Sequence, residues 1–234
     1  MITQYVSQYI SPLVKPFELT DNQTHHNRKS LRWLAWYAMT LGFAVLFVGK
    51  CIYGLDYTFT SISASANFYG TAYLLPFVLG GMAIFFWDYF GYAKIDRVCT
   101  KSMSVAAIVV AMFQCNEFSA DHDVPSKIGL LGLSPRLSNL MHTTAAIVLF
   151  SALIIWIVFL FTKTRKGVVQ CHEKIVRNRV YRIAGVLACI GLVSTVCHLT
   201  CTHVPYVWLG EVVILIPSGF ALLVKSNISW FKDK

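Results

Sequence analysis

Residues 197–203, Cys-His-Leu-Thr-Cys-Thr-His, hold the densest group of metal-binding side chains in the chain, namely Cys197, His198, Cys201 and His203. On a helix, Cys197 and Cys201 share a face, while His198 is displaced by about 100°. Structural zinc takes four protein ligands and catalytic zinc takes three and a water, so a metal here needs a further ligand, with His142 and Glu211 as candidates. The spacing matches no established zinc motif. We therefore favour a hydrogen bond from His198 to Glu211 or to a backbone carbonyl, and we predict no metal and no other cofactor.

A wider set of polar side chains falls at one depth in the apolar part of the chain. His198 and Glu211 each lie about five residues from the turn between their segments, which is roughly 7 to 8 Å at 1.5 Å per residue. His142 lies near the start of the preceding segment, slightly closer to the same end. Ionisable groups inside membrane segments usually face a cavity or a partner. We predict a ligand-binding site formed by Ser61, Ser63, Asn67, Glu117, His142, His198 and Glu211.

The sequence leaves open whether this set is catalytic. Ser61 or Ser63, with a histidine and Glu211, contains the residue types of a nucleophile, a base and an orienting group. However, the chain contains no G-x-S-x-G, P-loop or H-E-x-x-H motif. The serines near residue 63 are better explained as caps that accept hydrogen bonds from the N–H groups of the following helix. No catalytic residue is therefore assigned.

The cysteines leave a disulfide open as well. The chain has seven cysteines, and the odd number excludes a complete disulfide framework. Cys115 lies toward the same end as Cys197 and Cys201, so a bridge from Cys115 to either of them is an alternative to the metal site.

The elements that must position these residues are membrane helices. Hydrophobic residues make up 56% of the 234 and charged residues 13%, and the mean hydropathy is +0.58, which is too apolar for a soluble domain. A helix needs about 20 mostly apolar residues to cross the hydrocarbon. We predict an all-α polytopic membrane protein with six transmembrane helices near 33–55, 66–90, 102–118, 139–162, 182–203 and 206–224. The expected domains are a cytoplasmic or interfacial N-terminal segment (1–32), the six-helix domain (33–226) and a short cytoplasmic tail (227–234).

The basic residues predict the orientation. Of the 20 Lys and Arg residues, all but Lys50, Lys127 and Arg136 fall before the first span, after the sixth, or in the second and fourth loops. Cytoplasmic loops carry the excess of Lys and Arg, so both termini are expected inside and the polar set outside. The net charge of +9 then faces anionic lipid headgroups, and nucleic acid is not an expected partner. We expect a bacterial inner (plasma) membrane protein whose partners are membrane lipids, with a homo-oligomer or a membrane-protein partner also compatible.

Four short motifs carry a resemblance to known proteins: Thr-Ser-Ile-Ser-Ala-Ser at 60–65, Met-Phe-Gln-Cys-Asn-Glu at 112–117, Met-His at 141–142, and a glutamate at 211 followed by a helix with small residues. Their order resembles uncharacterised bacterial six-span membrane proteins and, more distantly, the group of DRAM autophagy modulators and GPI-anchor lipid-remodelling proteins. The resemblance covers about residues 33–226. It implies a six-helix bundle in which Ser63, His142 and Glu211 share an outer pocket, and it implies no agreed reaction.

The favoured function is a binding or accessory role, in which an outward-opening polar pocket receives a lipid headgroup or small amphipath on Glu211 and His142. The alternative is a metal-dependent membrane hydrolase with His198 and Cys201 as ligands and Glu211 as ligand or base. This alternative resembles the alkaline ceramidases and adiponectin receptors, which use Ser, Asp and three His around zinc in seven spans. The present chain has six predicted spans and no His-x-x-x-His pair. A proton-coupled transporter that uses Glu211 and Asp56 ranks third.

Overall fold

The computed structural model describes residues 18–52, 54, 61–68, 71–115, 127–128, 131–163, 172–200 and 207–226, with the backbone alone for 198–200. Within these residues 84% are helical and β-strands are absent, which confirms the all-α prediction. The α-helices are α1 Asp21–Phe47, α2 Leu74–Asp88, α3 Lys94–Met112, α4 Pro135–Ile155, α5 His172–Thr200 and α6 Val207–Lys225. Two π-helical turns, Val48–Ile52 and Trp156–Leu160, extend α1 and α4, and Ser63–Asn67 form a short 3-10 helix.

Four of these helices, counted with their π-turns, are long and apolar enough to cross a membrane: Asp21–Ile52, Pro135–Leu160, His172–Cys197 and Val207–Lys225. This finding supports the prediction of a membrane protein. α2 is apolar but has 15 residues, about 22 Å at 1.5 Å per residue, which is less than the ~30 Å hydrocarbon core. α3 is not among the four, since its first turns carry several charged residues.

Four helices start eight or more residues from the predicted start of their span: α3 starts at Lys94 rather than near 102, α5 starts at His172 rather than near 182, and the starts of α1 and α2 have a local cause. A capping box starts α1 at Asp21 rather than near 33, because Thr20 Oγ1 accepts from the Gln23 N–H (3.3 Å) and Gln23 Oε1 accepts from the Thr20 N–H (3.1 Å). α2 starts at Leu74 rather than near 66. The serines before α2 bond to nearby backbone groups, and such bonds compete with helix formation.

The helices form a ring with one loose seam. We call the end that holds residues 61–68 the outer end, according to the predicted orientation. α6 packs extensively on α5 and α1, α3 packs on α2 and α4, and α1 also contacts α2, whereas α4 has few contacts with α5. At the inner end this seam is closed, because the π-turn Trp156–Leu160 contacts α5 and Val158 lies against Gly185. The ring is therefore loosest between α4 and α5 toward the outer end.

Aromatic side chains fill the inner part of the ring. The Trp156 ring packs edge-on against Phe86 and Tyr89, with ring centroids 6.1 and 5.1 Å apart, and lies 4.8 Å from that of Phe161. The Phe161 ring in turn meets Tyr181 of α5 at 5.4 Å. All five side chains are buried, and edge-to-face pairs add stability beyond the apolar area that they bury. This aromatic cluster ties α2, α4 and α5 together.

Asp96 is the buried carboxylate of the inner end, whereas the sequence suggests Asp88 as the main acid there. Asp88 is exposed at the end of α2, but Asp96, in the first turn of α3, is only 5% exposed. Burial raises the pKa of Asp96 above its ordinary value, and the positive charges of Lys163 and Lys225 partly offset this rise. The inner ends of α3, α4 and α6 therefore meet at a buried carboxyl group.

α5 and α6 touch backbone to backbone one residue before Glu211. A Cβ on Gly191 would lie 2.6 Å from the Gly210 carbonyl oxygen, and a Cβ on Gly210 would lie 2.5 Å from Thr195 Oγ1. Small residues permit this close approach between membrane helices. The contact fixes the position of α6 against α5 and, with it, the place where the Glu211 side chain enters the ring.

We predict that Gly191→Ala destabilises the protein by about 1–3 kcal/mol, because the new methyl group overpacks this contact. Gly80→Ala is the matched control, since nothing lies within 4 Å of a Cβ at Gly80 and alanine favours a helix. Thermal unfolding in detergent should show a lower midpoint for the first variant and an equal or higher midpoint for the second. Equal midpoints for the two variants would contradict the close contact of α5 with α6.

Candidate functional site

A short segment outside the α-helices, residues 61–68, is largely buried at the outer end of the ring. Much of its hydrogen bonding is local. Ser61 Oγ accepts from the Ala64 N–H (2.9 Å), and Ser65 Oγ donates to the Ile62 carbonyl (2.6 Å). Thr71 Oγ1 donates to the Ser65 carbonyl (2.7 Å). The Ser61 hydroxyl therefore caps this segment and its 3-10 helix rather than α2. We call residues 61–68 the buried segment.

Residues at the end of α3 and the start of α4 support the buried segment. Gln114 Nε2 donates to the Ala66 carbonyl (2.9 Å), and Asn67 Nδ2 donates to the Cys115 carbonyl (3.0 Å). Ser138 Oγ of α4 donates to the Gln114 carbonyl (2.8 Å). Irregular backbone at membrane depth is tolerated where protein groups or a cavity supply its partners, and these bonds meet that condition.

Glu211 is the charged partner of the buried segment. The residue is 7% exposed, and its Oε2 accepts from the Ile62 N–H at 2.5 Å. Its Oε1 accepts from Ser63 Oγ at 3.3 Å. Hydrogen bonds to a charged acceptor are stronger than neutral ones, and a buried carboxylate that lacks them is very costly. One side chain of α6 thus attaches the buried segment to the rest of the ring.

His142 is fixed from α3. The residue is 5% exposed, and its Nδ1 lies 2.6 Å from the Phe113 carbonyl oxygen. A carbonyl oxygen only accepts, so Nδ1 carries the hydrogen and, in the neutral ring, Nε2 is the acceptor nitrogen. The contact therefore sets both the tautomer and the orientation of the imidazole.

Four of the seven predicted ligand-binding residues line one cavity at the outer end, which we call the polar cavity: Ser61, Ser63, His142 and Glu211. About 520 Å³ of space, which includes open solvent, lies between the atoms that line it. The wall also includes four polar side chains that were not among the predicted ligand-binding residues: Cys115, Asn139, Thr143 and Thr195. Helical spacing would have found two of them, since Asn139 lies three residues before His142 on α4 and Thr143 lies four residues after Asn139.

The other three predicted residues are placed differently. Asn67 supports the buried segment through Cys115, Glu117 lies outside the described residues, and the His198 side chain is not described. Cys201, His203 and Asp56 also lie outside the described residues. Among the residues that are described, no group of three His, Cys, Asp or Glu side chains could hold a metal, and no disulfide joins Cys115 to Cys197.

A second cavity, which we call the axial cavity, lies next to the polar cavity. The two cavities share Ser63, Ala146, Phe150 and Glu211 in their walls. About 570 Å³ of space, which includes open solvent, lies between the atoms that line the axial cavity. Its remaining wall is apolar and comes from α1, α2, α3, α4, α6 and the buried segment: Leu41, Ile62, Leu75, Leu79, Met82, Phe86, Val110, Leu149, Leu153 and Leu215. A cavity with polar groups in its wall thus adjoins a largely apolar one.

The polar cavity lies at the loose seam of the ring. Its wall takes Ile147 and Phe150 from α4 and Leu192 and Val196 from α5, the two helices that have few contacts with each other. The Ile147 side chain is also 38% exposed to the surroundings of the ring. Side chains that line the polar cavity therefore lie along the seam between these two helices.

These features define a class of protein: an all-helical protein with helices long and apolar enough to cross a membrane and with two adjoining cavities, one with polar side chains in its wall and one largely apolar. The chain matches no family model, no curated protein and no solved structure. What the site does must therefore be inferred from the cavity and the groups that line it.

We predict that Glu211→Ala destabilises the protein by about 1–3 kcal/mol, because the buried Ile62 N–H loses its acceptor. Glu211→Gln should cost less, since the amide oxygen can still accept from that N–H. Thermal unfolding in detergent gives the change in the free energy of unfolding for each variant. Hydrogen exchange of residues 61–68 shows whether the buried segment opens. Unchanged exchange in the alanine variant would contradict the attachment through Glu211.

Proposed function

We propose that this chain is a six-span protein of a bacterial inner membrane, with both termini inside, that binds the headgroup of a lipid or other small amphipath in the polar cavity. The observation that carries the proposal is that a cavity with polar side chains in its wall adjoins an apolar cavity, with Ser63 and Glu211 in the walls of both. An amphipath is the kind of molecule whose two parts match such a pair of cavities. This role is an accessory or lipid-handling one.

Glu211 and His142 are the proposed anchors for the headgroup. Both are buried in the wall of the polar cavity, and each is held by hydrogen bonds before any ligand binds. Polar groups held in place in this way bind a ligand with less loss of conformational entropy. Ser61, Ser63, Thr143 and Thr195 supply hydroxyl groups that can donate or accept.

A six-span topology requires that α2 and α3, the two helices outside the membrane-length set, also cross the membrane. In this proposal, α2 crosses together with the buried segment, which adds length at the outer end. α3 crosses with Lys101 near the inner headgroups, where Lys101 Nζ lies 3.9 Å above the Trp87 ring and donates to the Trp87 carbonyl. A lysine beside a tryptophan at a helix end is typical of the membrane interface.

We predict that purified protein carries lipid or another amphipath and that His142→Ala with Glu211→Gln removes most of it. His26→Ala is the matched control, since His26 packs on Phe90 at the inner end. Mass spectrometry of the extracted ligand, per mole of folded protein, gives the occupancy. Equal occupancy in the parent, the double variant and the control would overturn the proposed function.

A membrane hydrolase is the second candidate, because Ser63 Oγ donates to Glu211 and His142 lines the same cavity. A hydrolase of the zinc type would need ligands from His198 or Cys201. We therefore predict that the zinc content of the protein, measured after purification without a metal-affinity step, distinguishes the binding role from the hydrolase. About one zinc per chain that is lost in a His198→Ala, Cys201→Ser variant would favour the hydrolase. Metal-free folded protein would leave the binding role.

A further inference from the structure

We propose that a groove on the surface of the ring, between α3 and α4, binds one anionic phospholipid of the inner leaflet, with its phosphate at Lys101 and an acyl chain along the two helices. This site is separate from the polar cavity and would take a second ligand. The inference rests on the topology in the proposed function, in which α3 crosses the membrane with its first turns at the inner headgroups.

The groove lies where α3 and α4 pack side by side, and we call it the lateral groove. It offers about 680 Å³ of room, which is within the size range of ligand sites. Ala106 and Ala145 line it and are buried, whereas Val105 and Leu140 in the same wall are 53% and 61% exposed. Two small side chains thus form its floor, and larger apolar side chains form its edges.

The length of the lateral groove fits one leaflet of a bilayer. Its wall runs from Lys101 to Val109 on α3 and from Leu140 to Val148 on α4. Each stretch rises roughly 12 Å at 1.5 Å per residue. Half of the ~30 Å hydrocarbon core is about 15 Å, so most of one acyl chain can lie along the groove. Beyond Lys101 and Ser102, Thr144 is the one polar residue among those that line it.

The inner end of the lateral groove carries positive charge. Lys101 lies in its wall, with Nζ 3.9 Å above the Trp87 ring and bonded to the Trp87 carbonyl. An ammonium group has three N–H donors, so this carbonyl does not exhaust them. Lys94 is exposed two helical turns earlier on the same face of α3, and together the two lysines outweigh the exposed Asp88 that follows Trp87. Basic groups at this level attract anionic headgroups.

The charge at one end of the lateral groove favours a lipid over a second copy of the chain. A protein helix that covered the whole groove would bury the Lys101 ammonium group, and a buried charge is costly unless it is paired. A phospholipid instead places its phosphate beside Lys101 and its chain on the apolar wall. An anionic lipid is favoured over a zwitterionic one, because the latter also brings a positive charge close to the two lysines.

The test uses the full chain in phosphatidylcholine vesicles that contain a small fraction of phosphatidylglycerol with a photoreactive diazirine in one acyl chain. Mass spectrometry of peptides after irradiation shows which residues carry the label. We expect about fivefold more label on Val105 and Val148 than on Ile183 and Val186, which are exposed apolar residues of α5. Phosphatidylcholine that carries the same diazirine should label the two surfaces to a similar extent.

Two pairs of variants test the headgroup and the chain separately. Lys101→Gln should reduce the labelling of the groove by phosphatidylglycerol about fivefold, whereas Lys29→Gln, at the inner end of α1, should not change it. Thr144→Phe places a large side chain in the groove and should also reduce the labelling. Ile108→Phe, at an exposed position of α3 outside the groove wall, is its control. Because Thr144 is exposed, the larger side chain does not overpack the core.

Several outcomes would overturn the inference: equal labelling of the groove and of α5, equal labelling by the two lipids, or labelling that Lys101→Gln leaves unchanged. Protein dimers cross-linked through the groove, in place of lipid adducts, would assign it to a second copy. The His142→Ala, Glu211→Gln variant keeps the failure of this inference distinct from that of the proposed function. It should lose the ligand of the polar cavity and retain the labelling of the lateral groove.

Discussion

The structure depends on the need to pair every backbone polar group of a segment that is buried but not α-helical. An α-helix satisfies its own N–H and C=O groups, whereas residues 61–68 require partners from elsewhere in the ring. Gln114 supplies one from the end of α3, and Glu211 supplies another from α6. Because these partners come from different helices, the buried segment holds α3 and α6 in one arrangement. The cavity beside it exists because this arrangement leaves space that the short α2 does not fill.

Glu211 is therefore a structural group and a candidate binding group at once. Its oxygens accept hydrogen bonds from the Ile62 N–H and the Ser63 hydroxyl. The segment that donates these bonds also contributes Ser61 and Ser63 to the wall of the polar cavity. Substitutions at Glu211 are expected to affect stability and binding together, which is why the glutamine variant is needed beside the alanine variant.

Part of this arrangement could be predicted from the sequence. Counting helical residues from the turn before Glu211, and from the start of the fourth span, places His142 and Glu211 at similar depths, and both line the polar cavity. The identity of their partners could not be predicted, because Phe113 and Ile62 contribute backbone atoms that carry no signal in the residue type. The start of α2 at Leu74 could not be predicted either, since the residues from 66 onward are apolar enough to belong to the same helix.

The axial cavity and the burial of Asp96 lie further from what a sequence can show. Leu75, Leu79 and Phe86 have the pattern of ordinary core residues, and only the ring of helices reveals that they surround space. Asp96 stands in a charged first turn that looks exposed, yet the ends of neighbouring helices cover it. Side chains of this kind acquire their role from tertiary packing, which hydropathy and spacing do not record.

The aromatic cluster at the inner end has a consequence for kinetics. In the part of the chain that the structure describes, Phe86 lines the axial cavity, with Trp156 and the rest of the aromatic cluster behind it. If the cluster closes this side to the proposed ligand, a bound molecule must leave by the way it came, and a successor waits until the first has gone. Exchange is then sequential, and its rate is set by how long an occupant stays rather than by how much of the next one is present.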